Sequence, residues 1–261
     1  MKTVGFIGGG ALAESILGGI CGKTFKSENV FVAECREARA AELVVRYGVN
    51  TSPNANNFLN KIELLIVAVK PKDAEQVFES LTGKIPASTI VSYTVAGLKL
   101  ATVEKFLPEN KIVRLMPNVA VSVGESMTAY ALNAKAFDSG DTIKNFWSAL
   151  GRAVEVDEHL MDAVTGLSGS GPAFAFLAID ALADGGVAAG LPRAMAIELA
   201  AQTLLGAAKM VLAGDHPDVL RDRVTSPAGT TIEGVRVLER GGVRSAFIEA
   251  VLAATEKSKS L

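Results

Sequence analysis

Short apolar runs alternate with segments of helical spacing over the first 157 residues. Thr3–Gly8 (TVGFIG) predicts a strand, followed by a helix from about Ala11 to Gly22. Asn29–Glu34 (NVFVAE) predicts a second strand, followed by the charged helix Arg36–Gly48. Glu63–Val69 (ELLIVAV), Ser88–Val95 (STIVSYTV) and Lys111–Pro117 (KIVRLMP) continue the series. Met127–Asn133 and Arg152–Glu158 read as two strands closing the region. Val- and Ile-rich runs separated by helices predict an α/β fold with a doubly wound parallel sheet, covered on both faces.

After Glu158 the pattern changes. Segments rich in Ala, Leu and Gly keep helical spacing, and no strand is expected. The reading is therefore residues 1–157 as a sheet domain and 158–261 as an all-α domain. In Leu191–Gly214, Pro192 suits a first helical turn and Gly214 a helix stop. Polar residues are sparse between Ala194 and Leu212, and a helix apolar nearly all round must be buried on all sides. A subunit interface accounts for this better than a crowded core within one chain.

The chain has 261 residues, 49% apolar and 21% charged, which suits a globular protein with a large core. A net charge of -2 leaves no electrostatic footprint for nucleic acid, and no basic stretch suits a membrane surface. Cys21 and Cys35 form no metal-ligand spacing, so no metal is expected. As lone thiols they point to a reducing, cytoplasmic setting. The first fifteen residues mimic a signal peptide in Lys2, a short apolar run and Ala11-Leu12-Ala13. Three consecutive glycines break that run. Asp180 and Asp184 interrupt the most apolar long stretch, and no transmembrane span is expected.

The glycines carry chemistry instead. Gly8, Gly10 and Ala13 make a G-x-G-x-x-A pattern between a strand and a helix. The first glycine permits a tight turn. The second lets a pyrophosphate approach the backbone, and the small third residue lets helix and strand pack closely. The helix N-terminus offers free N–H groups and a positive dipole end. Glu34, at the end of the second strand, could accept ribose hydroxyls of NAD(H) and repel a 2′-phosphate, whereas Arg36 would favour that phosphate. NADH and NADPH both remain open. Lys70, and the Met116-Pro117-Asn118 segment, follow strands at the same edge. Near the C-terminus, Thr225–Thr231 (TSPAGTT) holds no charge and no large side chain between charged flanks; a helix cap is the plain reading.

Five stretches resemble the pyrroline-5-carboxylate reductase family: GFIGGG, VAVKP, VRLMPN, GLSGSGPAFAFLAIDALADGGVAAGLPR and VTSPAGTTIEGVRVLERGG. The last two are long and specific, and all five follow the family's order. The resemblance implies an N-terminal Rossmann domain and an all-helical second domain that forms interlocked dimers, up to a decamer or another multiple of dimers. It implies NAD(P)H-dependent reduction of a small cyclic imine to L-proline. The cofactor is expected on Ile7, Gly8, Gly9, Gly10, Ala11, Leu12, Glu34, Arg36, Ala68, Val69, Lys70, Pro71, Met116, Pro117 and Asn118. The resemblance places the substrate on Ser226, Gly229, Thr230 and Thr231, with the Thr231 hydroxyl as the catalytic contact at the ring nitrogen.

With that substrate, the turn before the last motif's helix acquires a use, since its N–H groups can hold a carboxylate without a charged side chain. A cyclic imine is basic enough to be partly protonated near neutral pH, so the reaction needs little acid catalysis. His159 and His216 are expected to be structural or solvated. Ser168 and Ser170, with Gly169, Gly171 and Pro172, read as a helix start, and the resemblance implies that this segment lies by the substrate pocket. This chain departs from the family's usual pattern at Ala228, where a glycine is common, at Ala11-Leu12, and at Glu34. Two other functions compete. A hydroxyacid dehydrogenase would need a Lys acid/base early in the second domain, and Val164–Gly190 contains no Lys, Arg or His. A redox sensor that binds the nucleotide without turnover would leave SPAGTT unexplained.

Overall fold

The computed structural model describes residues 1–260. The chain divides into two compact units. One comprises Met1–Ser170 with Ala253–Leu261, and the other Gly171–Leu252. The loss of strands near 157 and this division do not coincide, because the helical turns up to Ser170 pack with the sheet unit.

In the first unit the elements run β1 (Val4–Ile7), α1 (Ala11–Ile20), β2 (Val30–Ala33), α2 (Glu37–Tyr47), β3 (Asn50–Ser52), β4 (Leu64–Val67), α3 (Pro71–Leu81), β5 (Ile90–Tyr93), α4 (Leu100–Phe106), β6 (Lys111–Met116), β7 (Ser126–Leu132), α5 (Gly140–Ser148), β8 (Gly151–Glu155) and α6 (Met161–Val164). Their order in the single sheet is β3-β2-β1-β4-β5-β6-β7-β8. The chain leaves β1 in one direction toward β2 and β3 and returns to build outward from β4. The reversal therefore falls between β1 and β4, where doubly wound sheets bind ligands beyond the carboxyl ends of their strands.

Every neighbouring pair is parallel except β6 and β7, in the register Met116↔Ala129. The parallel sheet expected from the sequence carries this one antiparallel pair. Residues 117–125 are too few to carry a helical crossover, so the chain can only turn back. The sequence pattern also missed β3, whose three residues Asn50–Ser52 are all polar.

Strand alternation sorts the core into two layers. In β4 all four residues are buried; Leu64 and Ile66 join one cluster with Ile16, Leu17, Leu43 and Trp147. Leu65 and Val67 join the other, with Phe78, Val103, Ile112 and Met161. This is the two-sided burial that a continuous apolar run specifies. One charge enters the second face. Arg114 of β6 is 3% exposed and donates to Glu158 at 3.2 Å, with Asp162 at 3.7 Å. The Glu158 carboxylate also accepts the Leu100 N–H at the start of α4 (2.6 Å), and Ser258 donates to Asp162 (2.8 Å). The arginine thus ties a central strand, a helix start and the end of the chain into one polar knot.

The second unit is built from α7 (Gly171–Ala188), α8 (Arg193–Leu212), α9 (Pro217–Arg223), α10 (Thr230–Arg240) and the larger part of α11 (Val243–Lys259). Its shared core is small: Ala183, Ala196 and Ala200 with Ile179 and Val187. Phe176, Leu177, Met195, Leu199 and Met210 are all at least half exposed. Two helical stretches are long and apolar enough, by length and composition alone, to cross a membrane. They are Glu158–Ala188 and Arg193–Leu212, with mean hydropathies of 1.3 and 1.4. Alanine-rich turns raise the average despite the two aspartates, and 6% and 11% of these windows are buried within one chain.

Candidate active site

The turn after β1 is dictated by contact. Gly8 has φ +95°, and a Cβ there would lie 2.6 Å from the Ala68 carbonyl oxygen. Only glycine brings the end of β1 this close to the end of β4. A Cβ on Gly9 would meet a Leu43 methyl at 2.8 Å, while around Gly10 there is open space within 4 Å. Gly10 is the N-cap of α1 and has no side-chain capping bond. The first N–H groups of α1 are therefore free for an anion. Ala13 is fully buried against the sheet, as the third small position of the motif requires. The open space at Gly10 and these unspent donors fit a pyrophosphate.

Ile7, Gly8, Glu34 and Val69 line one cavity of about 530 Å³. Ala68, Lys70 and Pro71 belong to the same β4–α3 edge, where Lys70 is exposed and stands as the residue before the helix. The cavity also takes in Cys35, Asn54 and Asn56, which the sequence reading did not select. The signal for the asparagines was the Pro53–Asn57 loop after a strand too short to be seen. Met116, Pro117 and Asn118 lie at the end of β6 but do not line this cavity.

Glu34 lies just past β2 and is turned inward, with its side chain 5% exposed. Its carboxylate accepts the Gly9 N–H (3.1 Å) and the Arg36 N–H (2.9 Å). The Arg36 guanidinium closes on it bidentately, Nε to Oε1 and Nη2 to Oε2, both at 3.0 Å. The arginine bonds, aided by the two backbone donors, outweigh burial and hold the Glu34 carboxyl down to about 2. The two residues are one neutralised unit, not two independent readers of the ribose.

Asn118 has less freedom than its place near the edge suggested. Its amide oxygen accepts the Ala120 N–H (3.1 Å), and its amide nitrogen donates to the Ser168 carbonyl (3.0 Å). Ser168 belongs to a π-helical turn, Thr165–Gly169, closed by the Ser170 N–H on the Thr165 carbonyl (2.9 Å). A Cβ on Gly169 would touch the Met116 sulfur at 3.4 Å. The GLSGSG segment is thus a wide turn laid on the end of β6. Such turns recur at functional sites.

In the second unit, Ser226–Thr231 folds as a tight turn into α10. The Gly229 N–H donates to the Ser226 carbonyl (3.0 Å), and a Cβ on Gly229 would lie 2.3 Å from the Ser226 hydroxyl. Gly229 is the N-cap and no side chain caps the helix. The plain helix-cap reading therefore fails for the serine and both threonines. Ser226, Thr230 and Thr231 are exposed, and their hydroxyls make no hydrogen bond among the described residues. His216 accepts the Asp218 N–H at the start of α9, a structural role, and His159 is exposed. Cys21 and Cys35 are free thiols, and burial pushes Cys21 up to about 11. No cluster of potential metal ligands occurs among the described residues.

Ala228 is the one non-glycine residue with positive φ, at +55° among the described residues. An alanine is strained there by about 1 kcal/mol relative to glycine. Ala228→Gly is expected to stabilise the protein by about that amount, read as a rise in thermal midpoint. An unchanged or lowered midpoint would show that the turn is not strained.

Comparison with known proteins places these features. Residues 158–261 match the profile of the pyrroline-5-carboxylate reductase dimerisation domain, and residues 3–96 that of NADP oxidoreductases described as coenzyme F420-dependent. A pyrroline-5-carboxylate reductase of Synechocystis is 48% identical across 99% of this chain and 97% of its own length. The Methanosarcina acetivorans enzyme of the same name is 44% identical across 100% and 98%. The crystal structure of the Plasmodium falciparum pyrroline carboxylate reductase with NADP bound superposes with a TM-score of 0.89 at 30% identity, covering 99% of this chain and 97% of that one. Full-length identity, the glycine turn and the self-associating helical region agree, and the chain belongs to the pyrroline-5-carboxylate reductase family.

Proposed function

We propose that this chain reduces 1-pyrroline-5-carboxylate to L-proline, the last step of proline synthesis, using NADPH or NADH. The observation that carries the reading is the uncapped start of α10 with three unengaged hydroxyls, in a chain whose full-length relatives carry this activity by name. The reduced nicotinamide supplies the hydride when bound. The cofactor-binding role falls to the glycine turn Ile7–Leu12, to Glu34 and Arg36, to Ala68–Pro71 and to Met116–Asn118.

The N–H groups at the start of α10, with the Ser226 and Thr230 hydroxyls, hold the substrate carboxylate. Gly229 lets the ring come close. The Thr231 hydroxyl accepts from the protonated ring nitrogen and orients the electrophilic carbon. Hydride addition at that carbon leaves the nitrogen with its proton, as the amine of proline. Orientation of this kind is worth up to ~7–11 kcal/mol in general. That makes a His or Lys acid unnecessary.

The dimerisation profile over 158–261 supports self-association. A homodimer, alone or multiplied into a decamer or another ring, covers the exposed faces of α7 and α8. The free thiols suit a cytoplasmic location. Purified protein is expected to run as a dimer or a multiple of it by light scattering; a stable, active monomer at micromolar concentration would refute this.

Thr231→Ala tests the substrate assignment. Loss of its hydrogen bond is expected to lower kcat/KM for the imine by roughly 2- to 100-fold, with nucleotide binding intact. Because Thr231 caps nothing, the thermal midpoint is expected to stay within a degree or so of wild type. Unchanged kcat/KM would move the substrate site elsewhere. Turnover of 2-oxo acids in place of the imine would instead favour a hydroxyacid dehydrogenase.

The Glu34–Arg36 pair makes a separate prediction about cofactor choice. Glu34→Ser frees Arg36 and is expected to raise the NADPH/NADH ratio of kcat/KM; Arg36→Ala exposes the carboxylate and lowers it. Because the two touch, the double variant should depart from the sum by about 0.5–3 kcal/mol. Strict additivity across the four proteins would show that the side chains act independently.

A further inference from the structure

Arg39 lies on α2, outside every residue so far given a role at the cofactor turn. Its side chain is 20% exposed and all three guanidinium nitrogens are engaged. Nε donates to the Gly9 carbonyl at 2.8 Å. Nη1 donates to Glu42 at 2.9 Å, one turn along α2. Nη2 donates to Glu14, in the first turn of α1. Glu14 is itself fixed from α2 by Arg46 at 2.6 Å and by the Tyr47 hydroxyl at 3.4 Å.

The other polar atom of Gly9, its N–H, is held by Glu34 at 3.1 Å. Both polar groups of this one residue are thus gripped by charged side chains, and no neutral partner shares the work. A glycine peptide is otherwise the freest in the chain. Its orientation decides where the following N–H groups, those of Gly10, Ala11 and Leu12, point. Gly9 donates inward to Glu34, so it is those three that remain to meet an anion.

We propose that Arg39 is a positioning residue that locks the Gly9 peptide, and with it the donors at the start of α1, for the pyrophosphate of the cofactor. The inference rests on reading this turn as the nucleotide site. The chemistry distinguishes Arg39 from Arg36. Arg36 is two-thirds exposed and paired at the ribose position, so its loss discriminates between the two nucleotides. All three Arg39 nitrogens are already held, by Gly9, Glu42 and Glu14, and the pyrophosphate is common to both nucleotides. Its loss weakens NADPH and NADH alike.

The test is titration of NADPH and of NADH into the full-length wild type, Arg39→Ala, Arg39→Lys and Glu14→Gln, followed by nicotinamide fluorescence. Thermal melting and amide hydrogen exchange are measured on the nucleotide-free proteins. Arg39→Ala is expected to bind both nucleotides roughly five- to twenty-fold more weakly with their ratio unchanged. The Gly9 amide is expected to lose protection in the nucleotide-free protein. With cofactor saturating, kcat is retained. Arg39→Lys keeps the charge but cannot span the three partners from a single nitrogen, and falls between. Glu14→Gln loosens only the brace, so it gives a smaller shift in the same direction and serves if Arg39→Ala does not fold.

Unchanged affinities in folded variants, or a lowered melting point with unchanged affinities, would overturn the proposal. So would loss confined to NADPH, which would make Arg39 a direct phosphate ligand. Wild type that bound neither nucleotide would overturn the cofactor reading itself, an outcome distinct from wild type that binds both while the variants bind equally well.

Discussion

The contact between Gly8 and the Ala68 carbonyl governs the sheet unit. A single Cβ at Gly8 would stand 2.6 Å from that oxygen. Its absence lets β1 end flush against β4 at the point where the sheet reverses direction. From there α1 leaves at a fixed angle, its N-terminus facing the loops after β2 and β4. A methyl group at Gly8 would push apart the two strands that define the crevice. It would also meet a backbone at φ +95°, which L-residues avoid.

Charge organises the next layer around that turn. Glu34 and Arg39 reach it from the second strand and second helix, each braced by an opposite charge, Arg36 and Glu14 respectively. Isolated surface pairs contribute little to stability. These are networks with backbone atoms at their centres, and their value lies in holding a mobile peptide still. Arg114 does comparable work on β6, which it joins to the carboxylates that begin the helical run. A guanidinium suits the turn because its planar fork can hold several acceptors in one geometry, as Arg39 does with Gly9, Glu42 and Glu14.

Much of this was legible in the sequence for a simple reason: strands buried on two sides cannot hide. Leu64–Val67 reads as a strand because every residue faces a core layer. The glycine turn was legible because its three small residues answer three separate steric demands. What escaped has equally physical causes. β3 is three polar residues whose strand state comes from pairing with β2, not from its own propensity. The reversal at β7 follows from loop length, which apolar pattern does not report. Glu34 and Arg36 were each identified, but their union was not, because two residues apart along a chain says little about where two long side chains meet. The π-helical turn and its tie to Asn118 have no periodic signature at all. At SPAGTT the sequence supplied the hydroxyls and the family the substrate. The absence of any capping bond could only come from coordinates.

The thin alanine core of the second unit carries a consequence for the life of the chain. Ala183, Ala196 and Ala200 bury little apolar area, and the larger residues around them face outward. The dimerisation profile over this region supports self-association, and wherever a second copy covers these faces mass action enters the folding equilibrium. Halving the supply of chains shifts the balance toward unpaired molecules with bare Phe and Leu faces, the species that chaperones and proteases recognise first. Abundance is therefore a thermodynamic variable of this fold.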